Sequence, residues 1–428
     1  MIGGGLAGCE AALQLADHGI AVTLFEMRPT RPSPAHHSSY LAELVCSNSL
    51  KSDDPHRAAG LLKRELERMG SHLLRIARAC AVAAGSALAV DRSQFAQAVT
   101  EAVESHPAIE LCREEFIYHT PHGFDALIIA AGPLASDSLI DSIRALVGTH
   151  LSFYDAVAPI IAAESIDFSQ AFYGSRYGKG ESTDYVNCPF TQHEYRVFHQ
   201  ALIDGERVVA HAFESKEMFA ACQPIEEVAR SGFDALRFGA LKPVGLTVPA
   251  TGARAYACVQ LRAEDAHRQA YNLVGFQTNL TWPEQQRIFR MIPGLAHAEF
   301  LRYGVMHRNT FIDAPRLCDR FFSLKSEPSV WFAGQITGTE GYTEAIASGL
   351  YVARNVAARL NGTDAFELPP TTVAGALFHY ATNPHTKPYQ PMHVNFGIIE
   401  PLDQRQPSKR ARFAAYAERS LKALGEHV

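Results

Sequence analysis

Residues 1–26, MIGGGLAGCEAALQLADHGIAVTLFE, decide the reading of the fold. Gly3, Gly5 and Gly8 have the G-x-G-x-x-G spacing of a turn that receives a dinucleotide pyrophosphate, with Gly4, Leu6 and Ala7 inside it. Apolar residues recur at helical spacing from Leu6 to His18, Gly19 stops the run, and Ile20 to Phe25 reads as a short buried strand. Glu26 ends that strand about 20 residues beyond the glycines, where an acidic side chain accepts the hydroxyls of an adenosine ribose. Together these signals predict half of a βαβ unit with a nucleotide on it. Only Met1 and Ile2 precede the turn, which normally follows a buried strand of several residues. Such a strand would be central and covered on both faces. Its loss would cost several kcal/mol, at roughly 1.5–3 kcal/mol per buried aliphatic side chain. The expectation is therefore a real site, with Met1 an internal or mis-set start; a true deletion of the strand, with weakened nucleotide binding, is the alternative.

The chain has 428 residues, 47% of them hydrophobic and 20% charged, which predicts a globular protein of two domains, one discontinuous in sequence. A net charge of -6 excludes a chain that is basic throughout and leaves a local basic face open. No apolar run reaches the roughly 18 residues of a membrane span, and no basic segment followed by an apolar stretch opens the chain. A soluble, cytoplasmic protein with no membrane partner is expected. Cys9, Cys46, Cys80, Cys112, Cys188, Cys222, Cys258 and Cys318 form no C-x-x-C pair, so neither a zinc site nor a dithiol is expected and no metal is assigned.

Farther along, a helix is predicted from Ala58 to Ala79, and Ala126 to Ala131 reads as a buried strand ending at Gly132-Pro133, a strand end that sits over a cofactor. Between Pro159 and Glu299 the pattern changes to short alternating segments broken by glycine and proline. Val330 to Ala333 is again a buried strand, running into GQITGTEGYTEAIASGL and a long helix that Asn361-Gly362 ends. A strand, a glycine-rich loop and a helix at both ends of a chain are what a discontinuous FAD domain requires. The fold class is α/β, a Rossmann-like FAD-binding domain with an inserted mixed α/β domain. The expected bounds are 1–160 and 300–428 for the FAD-binding parts and 161–299 for the insertion. Gly334 and Gln335 are then expected near the isoalloxazine, and Arg92 in AVDR either meets the cofactor or makes a surface ion pair.

Several stretches carry a resemblance. GGGLAGCEAALQLADHGI, FEMRPTRPSPAHHSS, LAELVCSNSLKSD, CQPIEEVARSG, VGFQTNLTWPEQQRIFRMIPGL, RYGVMHRNTFI and FAGQITGTEGYTEAIASGL run in collinear order. They resemble the folate- and FAD-dependent tRNA (uracil-5-)-methyltransferase family, TrmFO, which is related to the MnmG/GidA flavoproteins. The resemblance implies methylation of C5 of a uridine in the T-loop of tRNA, position 54. The carbon would come from 5,10-methylenetetrahydrofolate, reduced FAD would be carrier and reductant, and NAD(P)H would be the source of electrons. Methylation of a 23S ribosomal RNA uridine is the alternative within the family. A flavin oxidoreductase acting on a small molecule, or an RNA-binding flavoprotein without activity, is the alternative outside it.

Uracil C5 is a poor nucleophile until another nucleophile adds to C6, and a cysteine thiolate suits that task. Cys222 precedes a proline and an acidic, helix-like run; Cys46 lies in a polar loop beside Asn48, Ser49 and Lys51. The resemblance places reactive cysteines at both positions, Cys222 toward C6 and Cys46 near the flavin, with the two roles open to exchange. Trp282, Arg287, Arg290, His307, Arg308 and Asn309 are the candidates for the folate and uracil pocket, since a pterin needs a stacking surface and its glutamate tail a cation. Trp282 as core and the arginines as surface charges is the competing reading. His36 and His37 read as a solvated loop pair. Lys51, Lys63, Arg64 and the basic tail from Asp403 to Lys422 are candidates for an RNA-binding face. No oligomeric state follows from the sequence.

Overall fold

Behind the glycine turn run helix α1 (Leu6–Asp17) and strand β1 (Val22–Phe25). The computed structural model describes the chain except residues 32, 34–35, 117–122, 149–150, 157, 179–180, 182, 209–222, 305 and 426–428, and for 151–156 and 306–309 it describes the backbone alone. Strand β1 pairs in parallel with β2 (Ile109–Cys112), Val22 opposite Ile109. Strand β3 (Leu127–Ile129) pairs in parallel with β4 (Glu327–Phe332), Val330 opposite Leu127.

The space between these two pairs is filled by Met1–Gly3. Ile2 bridges Phe25 on one side and Ile129 on the other, both in parallel. The Ile2 N–H donates to the Ile128 carbonyl at 2.9 Å, and the Gly3 N–H to that of Phe25 at 2.8 Å. Three residues thus hold the central place in a sheet ordered β2, β1, Met1–Gly3, β3, β4. Across one face α1 packs on α2 (Tyr342–Asn361), so closely that a Cβ at Gly349 would lie 2.2 Å from the Ala7 carbonyl oxygen.

The helix expected from Ala58 to Ala79 is broken. Ala58–Arg68 stops before Gly70, whose φ of +73° is a left-handed conformation, and Ser71 caps His72–Ala79 by accepting the Leu74 N–H. The buried carboxylate of Glu10 fixes this corner, accepting from the Ser71 hydroxyl at 2.9 Å and the Leu73 N–H at 2.8 Å. Lys63 is not part of any surface. It is 0% exposed, its ammonium donates to the Ser52 and Ala59 carbonyls, and burial pushes its pKa down to about 8.

The middle of the chain builds a second sheet, antiparallel throughout, in the order Phe300–Arg302, Ile160–Ala162, Ala270–Leu273, Ala257–Ala263, Tyr185–Phe190, Phe172–Tyr173. Its buried side chains, from Ala158 to Ala298, form a cluster of their own; those from Met1 to Val147 join those from Phe311 to Leu424 in the other. No helix among the described residues is long and apolar enough to cross a membrane.

The C-terminal helices Val373–Thr382 and Lys409–Gly425 dock through one carboxylate. Glu65, fully buried, accepts from the Val373 N–H at 2.7 Å, the Ala374 N–H at 2.9 Å and the Ser420 hydroxyl. Glu65→Ala would strand three donors, at about 1–3 kcal/mol for each buried group left unsatisfied. The expected result is faster amide exchange at Val373 and Ala374 and early proteolytic release of the segment beyond them; unchanged protection would contradict this role.

Candidate active site

At the carboxyl ends of β1 and β3 the sheet opens into a cleft of about 1020 Å³. Gly3, Gly5, Leu6, Ala7, Glu26, Gly132, Gly334 and Gln335 all line it, joined by Arg28, His36, Glu43 and Tyr342. Gly3, at φ +101°, is turned so that its N–H stays in the sheet while the chain swings under the cleft. Gly4 donates its N–H to Glu26 Oε2 at 2.9 Å, and Gly8 lies buried behind the turn. The N-terminus of α1 has no side-chain cap, so the N–H groups of Leu6 and Ala7 are available to an anion.

Two observations test whether a dinucleotide fits. A Cβ added at Gly5 would meet no protein atom within 4 Å: it would stand in the cleft, where a pyrophosphate needs close approach to the backbone. Glu26 is 6% exposed, and its Oε1 accepts from the Arg28 N–H at 3.0 Å and the Arg28 Nε at 2.8 Å, leaving Oε2 with capacity beyond Gly4 for a hydroxyl. Burial alone would raise the Glu26 carboxyl, but the hydrogen bonds and charge of Arg28 outweigh it and hold it below the usual range. The cleft therefore suits a ligand with an anionic middle and a hydroxyl-bearing end.

Next in the chain to Val45, which lines the cleft, is Cys46, half-buried. Its N–H donates to the Tyr342 hydroxyl oxygen at 2.7 Å, and the Ser47 N–H to the same oxygen at 3.2 Å. Burial, and the Cys46 sulfur beside it, push the Tyr342 hydroxyl well above its ordinary pKa, so it keeps its proton. Arg92 does not line the cleft. It is locked to Glu264 at 2.8 Å and donates to the Leu44 and Val45 carbonyls, gripping the Cys46 loop from below. From the second sheet Arg262 donates to Asn48 Oδ1 at 2.8 Å, while Asn48 Nδ2 donates to the carbonyls of Val90 and Ala263. The charges of Arg92 and Arg302 both act on Cys46.

His36, facing the cleft, is pushed down to about 4 by burial and by the Arg28 charge. An unfolded histidine titrates near 6.5, so between pH 6.5 and about 4 the unfolded chain binds a proton that the folded one refuses. This group costs stability progressively as pH falls through that window and nothing above it. His36→Gln is expected to flatten the pH dependence of melting between pH 4 and 6.5, and an unchanged slope would refute the assignment.

The sequence matches the family described as Glucose inhibited division protein A over residues 1–364. A Geobacter sulfurreducens protein named methylenetetrahydrofolate--tRNA-(uracil-5-)-methyltransferase TrmFO is 52% identical over 424 residues, covering 99% of this chain and 97% of that protein. The chain belongs to the TrmFO family. A Moorella thermoacetica protein of the same name is 50% identical over 422 residues, covering 98% of this chain and 96% of its own. Among solved structures, Aquifex aeolicus GidA superposes with a TM-score of 0.71 at 16% identity, covering 99% of this chain and 75% of that one, which makes the fold a shared one.

Of the other candidate residues, Trp282, Arg287 and Arg290 are not among those lining the cleft. Cys222 falls outside the described residues; the helix Ile225–Arg230 begins just beyond it. Trp282 opens the helix Trp282–Phe289 and is 56% exposed. Arg287 on the same helix pairs with Glu284 at 2.6 Å, and Arg290 donates to the Ala298 carbonyl at 2.9 Å. His307, Arg308 and Asn309 lie on the strand Met306–Phe311, which pairs with Leu151–Ala156; their side chains are outside the description. In the basic tail Arg419 is spent on the Glu400 and Pro401 carbonyls. Sequence reasoning missed Tyr342, Glu43, Arg262 and Arg302. Only Tyr342 left a signal, as the first helical residue after the glycine loop aimed at the cofactor.

Proposed function

We propose that this chain transfers the one-carbon unit of methylenetetrahydrofolate to C5 of a uracil in tRNA, the reaction that its TrmFO relatives' names describe. The target is the T-loop uridine at position 54, and the compartment is the cytoplasm. The observation that carries the reading is the convergence of a dinucleotide-shaped cleft and the Cys46 loop on one residue, Tyr342, which lines the first and binds the backbone of the second.

FAD in the cleft, replenished by NAD(P)H, supplies the reducing equivalents and carries the carbon. Gly3, Gly4, Gly5, Leu6, Ala7 and Gly8 form the cradle for its phosphates, Glu26 takes its ribose, and Gly132, Gly334 and Gln335 border its ring. Arg92 acts one step back, by fixing the Cys46 loop. Cys222 adds to C6 of the uracil, and Cys46 works beside the cofactor. The Tyr342 oxygen already accepts two N–H groups, so its own proton is left for a substrate oxygen. Arg92 and Arg302 bring positive charge to the Cys46 loop. Trp282, Arg287, His307, Arg308 and Asn309 belong to the insertion and its border, the side from which folate and RNA arrive.

The test incubates purified protein with unmodified tRNA, methylene-labelled methylenetetrahydrofolate and NADPH, then maps the label. Label at the T-loop uridine is expected. Label only in ribosomal RNA would redirect the substrate, and reduction of simple acceptors with no transfer to RNA would replace the reaction.

A further inference from the structure

Trp282 does not stand alone at the surface. It stacks on Tyr303 with ring centroids 5.4 Å apart and planes 13° from parallel, and Tyr303 stacks on Phe300 at 5.2 Å and 9°. The outermost ring is the largest, and it is 56% exposed. Scattered exposed aromatics are ordinary, but a ladder of near-parallel rings with one open face is a surface for a planar guest.

The ladder is also held rigid. Gln285, fully buried one turn into the helix, accepts from the Gly304 N–H at 2.7 Å and donates to the Gly304 and Leu280 carbonyls at 2.9 and 2.7 Å. That clamp fixes the residue after Tyr303 to the helix that starts at Trp282, so the stack is formed before any ligand arrives. Its location matters as well. Phe300–Arg302 is the edge strand of the second sheet, and the charge of Arg302 acts on Cys46, Tyr342 and Glu43 at the cleft mouth.

We infer that the Trp282–Tyr303–Phe300 ladder is a stacking platform for an RNA base that flanks the reactive uridine while that uridine enters the cleft. The inference rests on the RNA substrate proposed above. An extruded nucleotide leaves neighbours that have lost a stacking partner, and an open indole face supplies one without reading the base's identity.

Trp282 can report on itself, because the other tryptophan, Trp331, is 3% exposed. Holoenzyme titrated with unmodified tRNA should lose Trp282 emission, and tetrahydrofolate alone should leave it unchanged. Trp282→Ala should raise the KM for tRNA by roughly 5- to 100-fold, the scale of one lost base stack, with the KM for methylenetetrahydrofolate unmoved. Trp282→Tyr should recover most of the loss. Phe168→Ala, which removes a ring stacked on Tyr173 at the other end of the sheet, controls for loss of any exposed aromatic. An unchanged tRNA KM in Trp282→Ala overturns the platform. So does a rise confined to the folate KM, which would make the guest a pterin, or emission that depends on protein concentration without RNA, which would make it a second copy of the chain. If wild-type protein transfers no label to tRNA, the proposed reaction fails separately, and quenching by tRNA still decides the platform.

Discussion

Gly8→Val is expected to yield protein that carries no flavin and melts well below the parent. A Cβ at Gly8 would sit 1.9 Å from the Gly3 carbonyl oxygen and 3.1 Å from its carbon, and both are backbone atoms. Gly3 cannot retreat. It is hemmed by the Ala130 oxygen and the Ala131 Cα, each 2.6 Å from where its own Cβ would be, and it is hydrogen-bonded into the central position of the sheet. Overpacking that a core can relax around costs about 1–3 kcal/mol. Here relaxation means breaking the bridge between β1 and β3, so the cost lies at the top of that range or above. The companion variant Gly5→Ala separates folding from binding: its Cβ meets no protein atom, so melting without cofactor should match the parent while flavin absorbance near 450 nm falls. Flavin retention by Gly8→Val, or loss of fold in Gly5→Ala, would contradict this account of the turn.

Cys46→Ala and Cys222→Ala are each expected to cut label transfer into tRNA by roughly 10³-fold or more, the scale of losing one member of a catalytic group that works as a unit. Flavin content should stay at the parent level, because the phosphate cradle and Glu26 do not involve either sulfur. Tyr342 would keep its hydrogen bonds from residues 46 and 47 in Cys46→Ala, since these come from the backbone. The variant therefore tests the thiol and not the loop. With 5-fluorouridine at the target position, whose fluorine cannot leave as a proton does, the cysteine that adds to C6 should remain covalently attached to RNA. An adduct that persists in Cys222→Ala and vanishes in Cys46→Ala would exchange the two roles. Full transfer by either alanine variant would remove that residue from the chemistry.

How much of this was legible in the sequence varies by element. The glycine turn, α1, β1 and Glu26 could be read because each depends on neighbours a few residues away. The break at Gly70 was readable in principle, from a glycine followed by a capping serine, but the apolar period runs through it and masks the stop. Lys63 was misread as a surface cation, because nothing in its neighbourhood reveals that Ser52 and Ala59 turn their carbonyls inward to receive it.

The sequence by itself determined the α/β class, the nucleotide turn, the glycine loop that faces it from the far end of the chain, and through its likeness to relatives the family. Those properties follow from backbone conformations that only certain residues adopt and from periodicities along a single segment. The tertiary structure alone decided what surrounds Cys46: Tyr342 binding its backbone across 296 positions of chain, Arg92 held by Glu264 across 172, and Arg262 reaching Asn48 across 214. Electrostatics and hydrogen bonds act through space, and partners so distant along the chain leave no local pattern to read.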